Sequence, residues 1–149
     1  MVFNLFKKKQ NNFEIRNGSN FNPKYEGIEI KIESDIEESK KHLNRDFLVL
    51  ERKGIENIIK KHFLPWLKGE NFKNKSNKKI IDGLKLYEIT YHYGKIVEQY
   101  SPINKEAFFG QFEFCFESSS EYTEEMLDAV AMQVYVYENK IVKVSGYDI

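Results

Sequence analysis

The sequence predicts an α+β fold: an antiparallel sheet with helices packed on one face, ending in a strand, a helix and a β-hairpin. Three observations carry this expectation. Apolar and polar residues alternate with period two around residues 28–32, 87–93 and 108–117, as half-buried strands require. Between the first two of these stretches, apolar residues recur at helical spacing instead. The resulting order of strand, two helices, strands, a helix and a hairpin does not alternate as βαβ units do, which argues against a parallel doubly wound sheet.

The composition supports one domain over residues 1–149. A chain of 149 residues buries roughly two thirds of the surface its unfolded form exposes. Its 41% hydrophobic and 15% aromatic content exclude intrinsic disorder despite 31% charged residues. The lone Cys115 rules out an intrachain disulfide. At the N-terminus Val2, Phe3, Leu5 and Phe6 precede Lys7, Lys8 and Lys9, the reverse of a secretory signal and too short for a span, so a cytoplasmic location with no membrane partner is expected.

Taken in order, residues 1–10 are expected to be mobile, and Asn17-Gly18 is a turn signal. Ile28, Ile30 and Ile32 then alternate with Glu29, Lys31 and Glu33 in a strand with a solvated outer face. Ser34 and Glu37 have the spacing of a capping box, opening a helix with Ile36, Leu43, Phe47 and Leu50 along its apolar stripe. Gly54 separates it from a second helix carrying Ile55, Ile58, Ile59, Phe63 and Trp66, with Pro65 disturbing its end. Residues 69–79 are polar and rich in Lys and Asn, the composition of an exposed loop.

The second half reads mainly as strand. Tyr87, Ile89, Tyr91 and Tyr93 are expected on one face, with Leu84, Leu86, Glu88, Thr90 and His92 on the other and Gly94 as a turn. Phe108, Gly110, Phe112, Phe114 and Phe116 form a face committed to the core, alternating with Phe109, Gln111, Glu113, Cys115 and Glu117. Ser118 to Ser120 break that strand before a helix with Tyr122, Met126, Leu127, Val130 and Ala131 as its buried stripe. Val134 to Tyr137 and Ile141 to Val144 flank the short turn Glu138-Asn139-Lys140.

The net charge of zero conceals a division. Residues 1–80 hold 18 Lys and Arg against 11 Asp and Glu, and the remainder holds five against 12. Folded halves of opposite charge either neutralise each other or steer a charged partner. The acidic side concentrates in Glu117, Glu121, Glu124, Glu125 and Asp128, the candidate partner-binding residues. Like charges three or four apart on a helix cost about 0.2–0.5 kcal/mol per pair, a cost that the helix dipole, the basic half of the chain or a basic protein partner would offset.

Motifs for chemistry are sparse. His42, His62 and His92 share no metal-ligand spacing, and the sequence holds no HExxH, CxxC, phosphate-cradling glycine loop or serine elbow, so neither metal nor cofactor is assigned. Glu88, Thr90 and His92, at alternate strand positions, form the one array that would serve an enzyme if that face lined a cleft. Cys115 lies mid-strand between Phe114 and Phe116, away from any helix N-terminus that would activate it. No residue pattern defines a small-molecule ligand. A nucleic-acid role through the Lys-rich segment 60–79 meets a shortage of stacking platforms, with Phe72 alone inside the loop.

The C-terminal run from Ala131-Met132-Gln133-Val134-Tyr135-Val136-Tyr137 through Lys140-Ile141-Val142-Lys143-Val144 to Ile149 resembles small uncharacterised bacterial proteins, some of which act as immunity proteins against a cognate toxin. That resemblance implies a rigid surface complementary to a toxin domain and carries no catalytic residues with it. The leading expectation is therefore a non-catalytic protein-binding module, in its specific form an immunity or inhibitor protein for a toxin, using its acidic helix face. The alternatives are an enzyme around His92 and a nucleic-acid binder through residues 60–79.

Overall fold

A computed structural model describes residues 25, 27–33, 36–70, 76–118 and 129–149 of the chain. The fold is α+β, with a five-stranded mixed sheet in the order β1-β2-β3-β4-β5. Its strands are β1 (Ile30–Ile32), β2 (Leu84–Ile96), β3 (Ala107–Ser118), β4 (Ala129–Tyr137) and β5 (Lys140–Asp148). Strands β2 to β5 form an antiparallel meander, whereas β1 pairs parallel to β2 with Ile30 beside Ile89 and Ile32 beside Tyr91. The expectation of a wholly antiparallel sheet is thereby corrected. Parallel neighbours need a long crossover rather than a hairpin, and the helices between β1 and β2 supply it.

Helix α1 spans Ile36–Lys53 and buries Leu43, Phe47 and Leu50, the expected stripe, together with Ser39, Asp46 and Val49. Gly54 follows with φ 80, a left-handed conformation that a glycine adopts without strain. Helix α2 begins with Ile55–Ile58, passes through a π-helical turn at Ile59–Phe63 and continues as Leu64–Glu70. Pro65 was expected to disturb the end of this helix, yet the helix runs through it. Leu64 N–H donates to the Ile59 carbonyl five residues back, and this wider turn immediately before Pro65 accommodates a ring that clashes with the preceding turn of an ordinary α-helix.

The segment expected as an open loop at 69–79 is helical at both described ends: Gly69 and Glu70 close α2, and Asn77–Gly83 form α3, capped by Ser76 Oγ accepting from Lys79 N–H. Residues 1–10, and the stretch from Ser119 to Asp128 with most of the expected acidic helix, lie outside the described residues. Two residues of that helix's expected stripe, Val130 and Ala131, belong to β4 instead, where they pair with Asp148 and Tyr147. The closing hairpin is present, its tight turn at Glu138 and Asn139 having φ 48 and 63.

The core lies between the helices and one sheet face. Phe63, Ile89, Tyr91, Phe112, Phe114, Phe116 and Met132 are fully buried there. A bulge between Leu86 and Glu88 shifts the register of β2 against β3. It reverses the expected faces of the strand's first half: Leu84 and Leu86 join the core with Ile89 and Tyr91, and Tyr87 is exposed. Gly94 is no turn either, since β2 continues to Ile96 and the His92 ring occupies the space above that glycine. Among the described residues, no helix is long and apolar enough to cross a membrane.

Candidate functional site

Glu117 is exposed near the end of β3, beside Lys85 and Ala129 in the sheet. Glu121, Glu124, Glu125 and Asp128 lie outside the described residues. The Glu88, Thr90 and His92 array does share a sheet face by strand alternation, but the surroundings of its members differ. Glu88 accepts a 2.7 Å salt bridge from Lys31 across the β1–β2 pair, Thr90 is buried, and His92 Nδ1 is buried without a partner among the described residues. His92 lines neither of the two hollows described below.

Cys115 is buried, and its Sγ lies 3.9 Å from Glu113 Oε2. Burial first, then the nearby Glu113 and Glu88 carboxylates, push the thiol up to about 11. A thiol held protonated in this way is a poor nucleophile. Among the described residues no group of three or more His, Cys, Asp and Glu side chains is placed to hold a metal ion.

Among the described residues, the most exposed large apolar side chain, Tyr100, lies at the end of the β2–β3 hairpin. The connection turns through a 3-10 segment, Glu98–Tyr100. It is tied internally: Tyr100 N–H donates to the Val97 carbonyl, Ser101 N–H to Glu98, and Asn104 N–H to Ser101, at 3.1, 3.1 and 3.3 Å. Ile103 N–H also donates to Ser101 Oγ at 3.2 Å. On this braced loop Tyr100 is 73% exposed, Val97 is 45% exposed, and Phe108, at the start of β3, is 50% exposed.

Phe108 was expected in the core, because it continues the alternation of Phe112, Phe114 and Phe116. The sheet extends past the helices at this end, so Phe108 stacks on Tyr93 with ring centroids 5.8 Å apart instead of entering the core. Tyr93 in turn stacks on His42 of α1 at 3.7 Å, and the Arg45 guanidinium lies 6.0 Å from the Tyr93 ring centre. Lys95 sits 5.9 Å from the Phe108 ring and bridges to Glu106 at 3.3 Å. A shallow hollow of about 690 Å³ at the same end is lined by Val97, Glu98, Gln99, Asn104 and Glu106, two carboxylates and no base.

What holds this end against α1 is a buried polar contact that sequence periodicity missed. Asp46 is 1% exposed, accepting from Tyr91 Oη at 2.5 Å and from Arg45 Nε at 3.1 Å. Gly110 makes the room, since a Cβ there would collide with the Asp46 carboxylate and approach Tyr91 Oη. Two turns earlier, Ser39 Oγ accepts from Tyr93 N–H at 3.2 Å. The β1 strand reaches only to Ile32 opposite Tyr91, so α1 supplies the partner that a longer edge strand would have given. The signal available in sequence was Asp46 itself, a carboxylate one position from Phe47 within an apolar stripe.

Comparison with family models, with curated proteins and with solved structures finds no match to this chain.

Proposed function

We propose that the chain is a non-catalytic protein-binding module that offers the braced end of the β2–β3 hairpin to a basic protein partner. The observation that carries this reading is the exposure of Val97, Tyr100 and Phe108 on a loop whose backbone is already hydrogen-bonded. Large, rigid aromatic side chains supply much of the affinity in protein interfaces, and a loop fixed before binding loses little further entropy. Glu98 beside the aromatics favours a partner with a complementary Lys or Arg, whereas Glu106 is already paired with Lys95. An immunity or inhibitor protein acting on a basic toxin is the specific form of this reading that fits the C-terminal resemblance. In that form Glu117, Glu121, Glu124, Glu125 and Asp128 would add long-range attraction.

Affinity capture from the source cells with the wild type and with a Tyr100→Ala/Phe108→Ala double variant tests the proposal. A basic protein retained by the wild type and lost from the double variant, with melting temperatures alike, is the expected result. Equal capture by both baits would remove the hairpin end as the binding face. For the captured protein, Glu124→Lys/Glu125→Lys is expected to slow association at low salt; an unchanged, salt-independent rate would remove the acidic segment from the mechanism.

A further inference from the structure

A second hollow has a different character and lies among the C-terminal end of α1, the π turn of α2 and the β4–β5 turn. Its volume is about 460 Å³, within the range of small-molecule sites. Lys53 reaches it from α1, Lys61 and His62 from α2, and Lys140 from the start of β5. Asn57 and Asn139 add amides, and no carboxylate is among the lining residues. The opposite character is present in the same hollow: half-buried Ile141, with the edges of the buried Val49 and Ile58 beneath it, forms an apolar wall.

This arrangement is a product of the tertiary fold. Lys140 is remote in sequence from Lys53 and Lys61, so the fold and not local composition brings the third charge to the other two. On α2, Ile58, Lys61 and His62 stand at spacings of three and four, which places them on one face, and π turns recur at functional sites in helices. Asn57 Nδ2 donates to the Lys53 carbonyl at 2.8 Å, satisfying one of the carbonyls that the end of α1 leaves without an intrahelical donor. Like charge gathered in one hollow is unfavourable on its own and is relieved by a bound anion.

We propose that this hollow binds a small phosphate monoester of the nucleoside monophosphate class, with the phosphate among Lys53, Lys61, Lys140 and His62 and the organic body against Val49, Ile58 and Ile141. An extended nucleic-acid backbone fits less well, because the basic groups converge on one hollow with an apolar wall instead of tracking a groove. Burial, then Lys61 and Lys53, hold His62 below the ordinary histidine value. The charged groups that act on His62 are Lys61 of its own helix and Lys53 from α1, and Lys140 of β5 lines the same hollow, so protonating His62 adds a fourth positive charge that a bound phosphate would stabilise.

The test is a calorimetric titration of the full chain with AMP at low ionic strength, with inorganic phosphate and a single-stranded oligonucleotide as parallel probes. The expected result is saturable AMP binding, weakened at least about tenfold in Lys61→Gln/Lys140→Gln, in keeping with loss of charge-assisted contacts. The AMP phosphate itself gains a proton near pH 6, so His62 is read by difference: as pH falls from 8 to 6 the affinity of the wild type should rise relative to that of His62→Asn, and parallel profiles would overturn the role of His62. The melting temperatures of both variants without ligand establish that they fold. Absence of AMP binding, or binding indifferent to the lysine substitutions, would overturn the site. Inorganic phosphate binding as tightly as AMP would overturn the role of the apolar wall, and oligonucleotide binding without AMP binding would overturn the ligand class.

Discussion

Tyr91 Oη donates a 2.5 Å hydrogen bond to Asp46 Oδ2 in the buried seam between the sheet and α1. The contact joins residues from the two halves of the sequence and fixes the helix over the strand that leads to the hairpin end. Tyr91→Phe removes the donor and leaves a buried carboxylate with Arg45 as its remaining side-chain donor among the described residues. The expected cost is about 1–3 kcal/mol, measurable as a lower urea midpoint with an unchanged slope. A variant as stable as the wild type would mean that the carboxylate gains no stability from the hydroxyl.

The same pair sets an alkaline limit. Burial, followed by the charge of Asp46 and the hydrogen bond to it, raises the Tyr91 ionisation well above its ordinary value, which is about 10. The folded state therefore holds this proton at a pH where the unfolded chain releases it. Stability is fully present below the unfolded value and falls as pH climbs beyond it. Urea midpoints followed from pH 8 to 11 should decline less steeply in Tyr91→Phe than in the wild type; parallel declines would assign the alkaline loss to other groups.

Gly110 is the steric counterpart of that bond. In Gly110→Ala the new methyl collides with the Asp46 carboxylate, which is buried and held at both oxygens, so it cannot swing aside without breaking a contact. The substitution should destabilise by about 2 kcal/mol or more. Adding Asp46→Ala to Gly110→Ala should cost much less than the sum of the single effects, because the collision and the bond share one carboxylate. Strict additivity in this cycle would separate the two residues energetically.

The turn between β4 and β5 holds two non-glycine residues with positive φ, Glu138 at 48 and Asn139 at 63. Asn tolerates this conformation, whereas Glu has no such allowance and incurs about 1 kcal/mol of backbone strain. Glu138→Gly should therefore leave the protein as stable as the wild type or up to about 1 kcal/mol more so, despite the greater flexibility of glycine in the unfolded chain. A loss of stability would show that the Glu138 side chain makes a stabilising contact at the turn.

These residues also show where the sequence was legible. Period-two alternation located Ile30, Ile32, Phe112, Phe114 and Phe116 in the core, and period 3.6 located Leu43, Phe47, Leu50, Ile55, Ile58 and Phe63, because a single buried face imposes its spacing on the chain. Alternation carries no marker for the extra residue of a bulge, so Tyr87 was placed with Ile89 and Tyr91, although the shift between Leu86 and Glu88 turns it outward. Nor does it record where the helices stop covering the sheet, which is why Phe108 was read as core. The parallel pairing of β1 depends on where a chain returns after a long crossover, a tertiary outcome with no local pattern. The candidate hairpin end was illegible for the same reason: Tyr100 and Phe108 become a surface only once β2 and β3 are paired beyond the reach of α1.

Cys115 provides the sharpest check on the face of the sheet opposite the helices. Its thiol is pushed up to about 11 by burial, with Glu113 and Glu88 adding to the shift, against about 8.5 for an unfolded cysteine. At pH 8 that difference lowers the thiolate population, the reactive species, by about two orders of magnitude. Labelling of the native protein by a water-soluble disulfide reagent should be slower than labelling in urea by at least that factor, since burial restricts access as well. Above pH 8 the native rate should keep climbing, where an unfolded thiol levels off near its own lower value. A native rate close to the unfolded one, or one that levels off near pH 9, would place Cys115 in contact with solvent and reopen the face of Glu88, Thr90 and His92 as a reactive surface.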